Sequence, residues 1–262
     1  DNHSSDDSWK LLRTLNGSGK VHALRLEQNG GYGMGNQEGI NYAVSCLEAD
    51  YVIIANPDIH VTPRCIRRVK DALDKTQGAV AASARVKDPQ GGELFSYWTL
   101  LPLWKDLLDT GLVTRRLFKA MLNTPSYRLA YAGDEDCRLV DAVPGSFFML
   151  KTGLLTPGEI KEVFDKHIFL YYEEKVLGQK FRKMGLKTVL VTDESYVHAH
   201  SVSIDKSFKR IVDKQRLLHR SKLYYYKEYL GTGPAGMAAA RAVLGLVLAE
   251  VWFLTVVCRM RW

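Results

Sequence analysis

Residues 51–58 read YVIIANPD, an apolar run that passes directly into a turn carrying one carboxylate. A uniformly apolar run of this length is typical of a strand buried on both faces of a parallel sheet. The turn then places Asp58 at the carboxyl edge of the predicted sheet, where open α/β folds bind ligands. Asn-Pro-Asp is also a common structural turn, in which the aspartate caps the next helix. The stretch alone therefore leaves a binding role and a structural role open.

The flanking residues alternate between strand-like and helix-like patterns. Before this strand come a strand at residues 21–26, a glycine-rich turn at 30–35 and a helix at 36–49. After it come a helix at residues 63–73 and a strand at 79–86. This order predicts an α/β fold with an open, mostly parallel sheet flanked by helices.

The pattern changes in the second half of the chain. We expect an unusually apolar helix at residues 98–122, a strand at 140–151, a helix at 173–184 that Gly185 ends, and a strand at 187–192. A histidine-rich loop and a basic, aromatic helix at residues 206–229 follow.

Residues 242–258 form a distinct segment that is apolar apart from Glu250 and is flanked by arginines. A spanning helix needs about 20 apolar residues, and a carboxylate is costly in the middle of a bilayer. Association with a membrane or a partner and burial as an ordinary core helix both remain open. We therefore divide the chain into a domain at residues 1–230 and a C-terminal helical appendage at residues 231–262.

Charge and cysteine content narrow the class of protein. The 262 residues carry a formal net charge of +7, and the basic residues concentrate only between residues 206 and 222. A local cluster favours an anionic ligand or an acidic membrane surface over nucleic acid. The four cysteines are widely spaced and form no CxxC pair, so neither a zinc site nor a disulfide framework is expected. No signal peptide is visible, and we expect a cytoplasmic protein.

A glycine-rich stretch at residues 29–39 precedes the central strand by one helix. Its glycines permit a ligand to approach the backbone, and the start of the following helix offers N–H groups to an anion. It has neither the GxGxxG spacing of a dinucleotide fold nor the GK[ST] ending of a P-loop.

Two further stretches carry groups that suit chemistry. Glu173 and Glu174 follow an aromatic run at a predicted helix start; they either cap the helix or supply a general base whose pKa its neighbours raise. His198 and His200 are one residue apart after a strand and would point the same way in an extended chain, which suits a metal or a phosphate. A histidine-rich surface loop is the structural alternative.

The ordered set of motifs resembles the family-2 glycosyltransferases of GT-A fold, particularly the rhamnosyltransferase-like enzymes of bacterial surface polysaccharide synthesis. The matching motifs are DNHSSD at residues 1–6, NGGYGMGN at 29–36, NPD at 56–58, GSFFML at 145–150, LYYEE at 170–174, and a late histidine at 198 with a serine at 203. The order of these motifs is far more specific than any one of them. The family opens with a strand that ends in the first motif, and Asp1 is not Met, so we expect the N-terminal strand and helix to be missing.

The resemblance implies a role for each motif. Glu174 would be the catalytic base with Glu173 beside it, and Asp58 and His198 would bind a divalent Mg²⁺ or Mn²⁺ ion. Asp1 would contact the nucleotide base, and Gly145 and Ser146 would lie at the acceptor site. The implied donor-binding residues are Asp1, Asn29, Gly30, Gly33, Asn36, Asn56 and Asp58. Asn56 stands where many relatives carry a second carboxylate, and Lys175-Val176-Leu177 replaces a common Val-Asp-Leu.

The implied activity is inverting transfer of a sugar from a nucleotide-diphosphate donor, with dTDP, UDP or GDP as the nucleotide. The acceptor would be a hydroxyl of a saccharide or a lipid-linked saccharide, and the enzyme would be cytoplasmic, with possible peripheral attachment to the inner face of the plasma membrane. A nucleotidyltransferase and a non-catalytic, membrane-associated scaffold of the same fold are the alternatives.

Overall fold

A computed structural model describes residues 1–17, 19–119, 121–122, 136–199 and 211–259. Its helices are α1 (Ser8–Leu15), α2 (Gly31–Leu47), α3 (Pro63–Lys75), α4 (Leu103–Leu108), α5 (Leu112–Leu117), α6 (Pro157–Ile160), α7 (Glu173–Lys183), α8 (Ile211–Glu228) and α9 (Pro234–Trp252). Its strands are β1 (Tyr51–Ala55), β2 (Ile59–His60), β3 (Ala79–Lys87), β4 (Cys137–Val140), β5 (Phe147–Lys151) and β6 (Lys187–His198).

The strands form one open sheet in the order β1-β5-β3-β6-β2, with β4 paired to β6. The expected open sheet between helices is therefore confirmed, but the expectation of mostly parallel strands is wrong for the described residues. Only β3 and β6 run parallel there, whereas β1–β5, β5–β3, β6–β2 and β4–β6 are antiparallel. The difference arises because β5, which runs antiparallel to both of its neighbours, lies between β1 and β3.

Two apolar clusters cover the opposite faces of the sheet. On β5, Phe148 and Leu150 join one cluster and Phe147 and Met149 join the other, because successive side chains of a strand point to opposite faces. Helices α2 and α7 pack on the first face, and α3 packs on the second. The sheet is thus covered on both sides along its central strands.

Strand β1 differs from the expectation of burial on both faces. Val52 and Ile54 are buried, whereas the intervening Ile53 is 38% exposed. The strand stands at one edge of the described sheet; Val52 and Ile54 join the first apolar cluster, whereas on the other face Tyr51 packs against the second cluster and Ile53 is left partly exposed. Continuous burial belongs instead to β3, whose first six residues are all buried.

Five other expected elements differ in the structure. Residues 21–26 belong to no strand of the described sheet; they lie beside the N-terminus, where the Leu26 amide donates to the Asp1 carbonyl at 3.0 Å. The glycine-rich residues 31–35 belong to helix α2 and not to a turn. The apolar residues 98–122 contain two short helices, α4 and α5, in place of one long helix. The expected strand at 140–151 is divided between β4 and β5, and β6 extends six residues beyond the predicted Thr192, to His198.

The C-terminal helix α9 packs against α8 through a stripe of small and apolar side chains that includes Met237, Ala240 and Leu244. Glu250, the carboxylate in this apolar segment, accepts hydrogen bonds from the amides of Leu112 at 3.2 Å and Val113 at 3.1 Å. It therefore stabilises the N-terminus of α5, where unpaired amides favour an acidic partner. The span Pro234–Val257 is long and apolar enough to cross a membrane by length and composition.

Gly31 should be intolerant of a side chain. It has φ +86°, and an added Cβ would lie 2.0 Å from the Phe169 carbonyl oxygen. We expect Gly31→Ala to lower the free energy of unfolding by about 2–3 kcal/mol. The control is Gly39→Ala in the same helix, where a Cβ meets nothing within 4 Å among the residues that the structure describes; it should stabilise by about 0.5–1 kcal/mol. Urea denaturation measures both, and equal effects would contradict the prediction.

Candidate active site

A pocket of ≈ 680 Å³ opens where β1, β3 and β6 end and β5 begins. Its size lies within the range of small-molecule sites. One wall is apolar and consists of Val86, Leu94, Phe95, Trp98, Leu170 and Leu218. The polar lining includes Asn56, Asp58, Ser146, Glu173, Glu174, Lys175 and His198. Tyr32 also lines the pocket, so residues from five of the six predicted motifs meet there.

Asp58 and His198 face each other across the pairing of β2 with β6. Ile59 lies opposite His198 in this short antiparallel ladder, and the Ala199 amide donates to the Asp58 carbonyl at 3.0 Å. The pairing brings Asp58 Oδ1 to 3.3 Å from His198 Nε2. His198 was expected in a loop, but it is the last residue of β6, and this fixes its distance from Asp58. His200 and Ser203 lie outside the described residues.

The Asp58–His198 pair has donor atoms and spacing that fit a divalent cation. Two adjacent ligands of an octahedral ion, each at about 2.1 Å, are about 3 Å apart, close to the 3.3 Å between these atoms. Within the described ranges, no group of three or more His, Cys, Asp or Glu side chains converges on one point. A cation held by this pair would therefore need further oxygen ligands, which a diphosphate supplies.

Glu173 and Glu174 begin helix α7 after two residues in left-handed backbone conformation, Tyr171 at φ +70° and Tyr172 at φ +76°. Such a conformation is strained for residues that carry a Cβ and is often found at functional sites. The turn directs Glu174 towards the start of β5, where its Oε1 accepts from the Gly145 amide at 3.3 Å. Gly145 in turn accepts a hydrogen bond from the Tyr32 hydroxyl at 2.5 Å.

The two carboxyl groups have different environments. Glu173 is 6% exposed, and its Oε1 is buried without a hydrogen-bond partner among the described residues. Burial, and then the charge of Glu174, raise the pKa of Glu173 well above its usual value. Burial also raises the pKa of Glu174, while backbone amides, including that of Gly145, and the charge of Lys175 oppose the rise. Glu174 is partly exposed to the pocket and is better placed than Glu173 to accept a proton from a ligand.

A hydrogen bond that the sequence did not predict holds the turn before β5. Tyr196 of β6 is fully buried, and its hydroxyl lies 2.7 Å from the Ser146 hydroxyl. The Ser146 carbonyl accepts from the Asn56 amide at 2.8 Å. These contacts link the Asn-Pro-Asp turn, Ser146 and β6. Tyr196 lies four residues beyond the predicted end of the strand at Thr192, after three polar residues, so no local pattern signals this role.

The remaining candidate residues lie beside the pocket and not in its lining. The Asn2 side chain donates to Asn29 Oδ1 at 3.1 Å and accepts from the Gly30 amide at 3.3 Å. Asn36 donates to the Tyr32 carbonyl within its own helix, and Gly33 packs against Phe164. Asp1 accepts from the Ser4 amide. The glycines of this stretch thus allow close contact with other parts of the protein, and Asn2 and Asn29 occupy the start of α2.

Comparison with known proteins identifies the family. The description "Glycosyl transferase family 2" matches residues 1–130. The chain is also 28% identical, over 160 residues, to N-acetylglucosaminyl-diphospho-decaprenol L-rhamnosyltransferase from two strains of Mycobacterium tuberculosis. Residues 1–130 therefore belong to glycosyl transferase family 2. The alignment covers 60% of this chain and 50% of the relative, so the chain spans about half the length of the curated relatives it matches.

A solved structure supports the same fold. The crystal structure of GalNAc-T7 with UDP, GalNAc and Mn²⁺ matches 99% of this chain and 49% of its own chain, with a TM-score of 0.51 and 13% identity. At this identity the likeness shows the fold alone, which is GT-A. The resemblance inferred from the motifs is therefore confirmed at the level of family and fold.

The raised pKa of Glu173 has a consequence for stability. The unfolded chain ionises this carboxyl near its usual pKa, but the folded chain keeps it protonated to higher pH, so its contribution to stability is lost as pH rises. We expect Glu173→Gln to gain stability relative to the wild type as pH rises above the usual glutamate pKa, by at most about 1.4 kcal/mol per pH unit. Glu174→Gln should show the same sign. Urea denaturation at each pH measures the difference, and a pH-independent difference would contradict it.

Proposed function

We propose that this chain is the catalytic part of an inverting glycosyltransferase that moves a sugar from a nucleotide-diphosphate donor to an acceptor hydroxyl. The observation that supports it most directly is the presence of Glu174 and the Asp58–His198 pair in the lining of one pocket. This pocket combines a carboxyl group of raised pKa with a pair of cation ligands. Family membership and the GT-A fold agree with this activity.

In the proposed reaction Glu174 acts as the general base. It accepts the proton of the acceptor hydroxyl while that oxygen attacks the anomeric carbon, and the bond from this carbon to the diphosphate oxygen breaks. Asp58 and His198 would hold Mn²⁺ or Mg²⁺. When bound, the ion neutralises the charge that develops on the leaving diphosphate. The Gly145 amide and Tyr32 keep the Glu174 carboxylate in place during this step.

The donor would extend from Asp58 towards the N-terminal residues, and its nucleotide would be dTDP, UDP or GDP. Asp1, Asn29, Gly30, Gly33 and Asn36 would form the nucleotide side of the site, with Asn56 near the diphosphate. Gly145 and Ser146 would lie on the acceptor side. The GalNAc-T7 structure contains UDP and Mn²⁺, in keeping with a nucleotide and a divalent ion in this fold.

The acceptor would be a saccharide carried on a lipid. The name of the mycobacterial relative specifies a diphospho-decaprenol carrier. The apolar wall of the pocket includes Phe95 and Trp98, side chains on which a sugar ring packs well. Trp98 stands only five residues before α4, which leads to α5 at the surface of the protein.

The surface formed by α5 and the outer side of α9 would contact the inner face of the plasma membrane. Its exposed apolar side chains are Val113, Leu117, Phe118, Met121, Leu246, Trp252, Phe253, Val256 and Val257. The hydrogen bonds from α5 to Glu250 hold the two helices together. Arg115, Arg116 and Lys119 lie among them and are exposed, as are Arg241 and Arg259. An apolar face with basic residues suits an interface with anionic lipids.

The transfer reaction is tested by incubating the protein with Mn²⁺, a panel of dTDP-, UDP- and GDP-sugars, and polyprenyl-diphosphate-linked N-acetylglucosamine. We expect release of nucleoside diphosphate and a glycosylated lipid. Glu174→Gln should lower kcat by about 10²–10⁴-fold while donor binding, measured by calorimetry, remains. Glu38→Gln, a change at an exposed site on α2, is the matched control.

Other outcomes favour the alternatives. Release of pyrophosphate from a nucleoside triphosphate would support a nucleotidyltransferase. Absence of nucleotide binding would support a non-catalytic scaffold. Comparison with Glu173→Gln identifies the base, because a larger loss in that variant would assign the role to Glu173.

Membrane contact is tested by flotation with phosphatidylcholine vesicles, with and without phosphatidylglycerol. We expect the protein to bind the anionic vesicles. Leu246→Glu should reduce binding about tenfold or more, since it removes a large apolar side chain from the proposed interface and adds a negative charge. The control is Leu139→Glu on β4, an exposed leucine outside this surface. Equal binding by both variants would contradict this docking surface.

A further inference from the structure

A buried charged cluster lies next to the start of α7. Its centre is Asp106 of α4, which is 1% exposed. The carboxylate accepts hydrogen bonds from the Tyr172 hydroxyl at 2.5 Å, the Tyr226 hydroxyl at 2.6 Å and the Lys222 ammonium at 3.0 Å. The Lys175 ammonium also donates to it. The cluster therefore connects three helices, α4, α7 and α8.

We propose that Lys175, held by Asp106, is a positioning residue for Glu174: it fixes the start of α7 and holds a positive charge next to this carboxyl group. This inference rests on the proposed role of Glu174 as general base. Lys175 follows Glu174 directly in the chain and lies in the lining of the same pocket, with 8% of its surface exposed.

The first support is the backbone before Glu173. Tyr171 and Tyr172 both adopt left-handed conformations, which persist only when the surrounding contacts hold them. The Tyr172 hydroxyl is bound by Asp106, and the Lys175 ammonium lies 3.2 Å from it and 4.6 Å from the centre of the same ring. The same cluster therefore anchors the strained turn on one side of the glutamates and the lysine on the other.

The second support is the charge balance of the cluster. Two buried lysines contact one carboxylate, and either of them can pair with Asp106 alone. Burial would raise the pKa of Asp106, but the charges of Lys222 and Lys175 hold it below its usual value. Burial lowers the pKa of Lys222 to about 8. Below that pH the cluster carries an excess positive charge, which stabilises a negative charge nearby.

The groups that face Glu174 come from three elements. Tyr32 of α2 and Tyr196 of β6 have pKa values that burial raises, so both stay neutral. Glu173 of α7 is held protonated by its own burial. Burial raises the pKa of Glu174, and the backbone amides of Glu174 and Gly145, followed by the charge of Lys175, lower it. Among the side chains named here, Lys175 is the one whose charge opposes the effect of burial on Glu174.

The test compares Lys175→Met with Lys222→Met in the full chain. Each variant removes one lysine from Asp106 and leaves the other to pair with it. Carboxyl resonances of ¹³C-labelled glutamate are followed against pH, and Glu174 is assigned by its loss in Glu174→Gln. We expect Lys175→Met to raise the Glu174 pKa by about 1 unit. Lys222→Met should shift it less, because Lys222 does not line the pocket.

Transfer kinetics give an independent readout. In Lys175→Met the acid limb of the pH profile of kcat/KM should move to higher pH by the same amount. At pH values below the Glu174 pKa, kcat/KM should therefore fall about tenfold, while the donor KM stays unchanged. Lys175→Arg, which keeps the charge, should restore the wild-type profile. If Lys175→Met unfolds, Lys175→Gln is used, since it retains a donor for Asp106.

An unshifted Glu174 resonance in the Lys175 variant, or an equal shift in both lysine variants, would overturn the inference. The resonance measurement requires no catalytic activity. A wild-type protein that transfers no sugar would therefore count against the proposed function, while the titration would still decide the role of Lys175.

Discussion

The candidate site depends on the insertion of β5 between β1 and β3. Because β5 runs antiparallel to both, its first residues stand beside the last residues of β1. The turn at Gly145 and Ser146 is therefore enclosed by the Asn-Pro-Asp turn on one side and the start of α7 on the other. The Asn56 amide donates to Ser146, and Gly145 contacts both Tyr32 and Glu174. One pair of residues thus sets the relative positions of the groups proposed to bind the leaving diphosphate and to take the proton.

The sequence predicted those parts of the fold that local pattern determines. Helix α3 was found because proline is common at the first position of a helix, and Pro63 does begin it. The Thr62 side chain, which accepts from the Cys65 amide, caps the same end. The end of α7 was found because Gly185 adopts the positive φ that such an end requires. Strand direction and edge position were not predictable in this way. Both depend on which strands pair with each other, and the residues of β1 do not indicate that β5 is their neighbour.

The same division applies to the candidate site. Asn56, Asp58, Gly145, Ser146, Glu173, Glu174 and His198 stand in short motifs, and all of them line the pocket. Asp106 could not be found, since its partners Lys175 and Lys222 are 69 and 116 residues away in the chain. An aspartate in an apolar helical stretch reads locally as an exposed residue. Its carboxylate can be buried because two lysines and two tyrosines from distant parts of the chain bind it, and a buried charge requires such partners.

The hydrogen bonds between Glu250 and the first amides of α5 have a consequence for the design of chimeras. Glu250 is 138 residues from Leu112 and 137 residues from Val113 in the chain. The first turn of α5 has no acidic residue of its own, so Glu250 supplies the acceptor for its amides, and these amides supply the donors for Glu250. An exchange of C-terminal helices between family members would thus have to carry the residues of α5 with it. A graft that ignored this coupling would leave a carboxylate without donors in one segment and a helix start without an acceptor in the other.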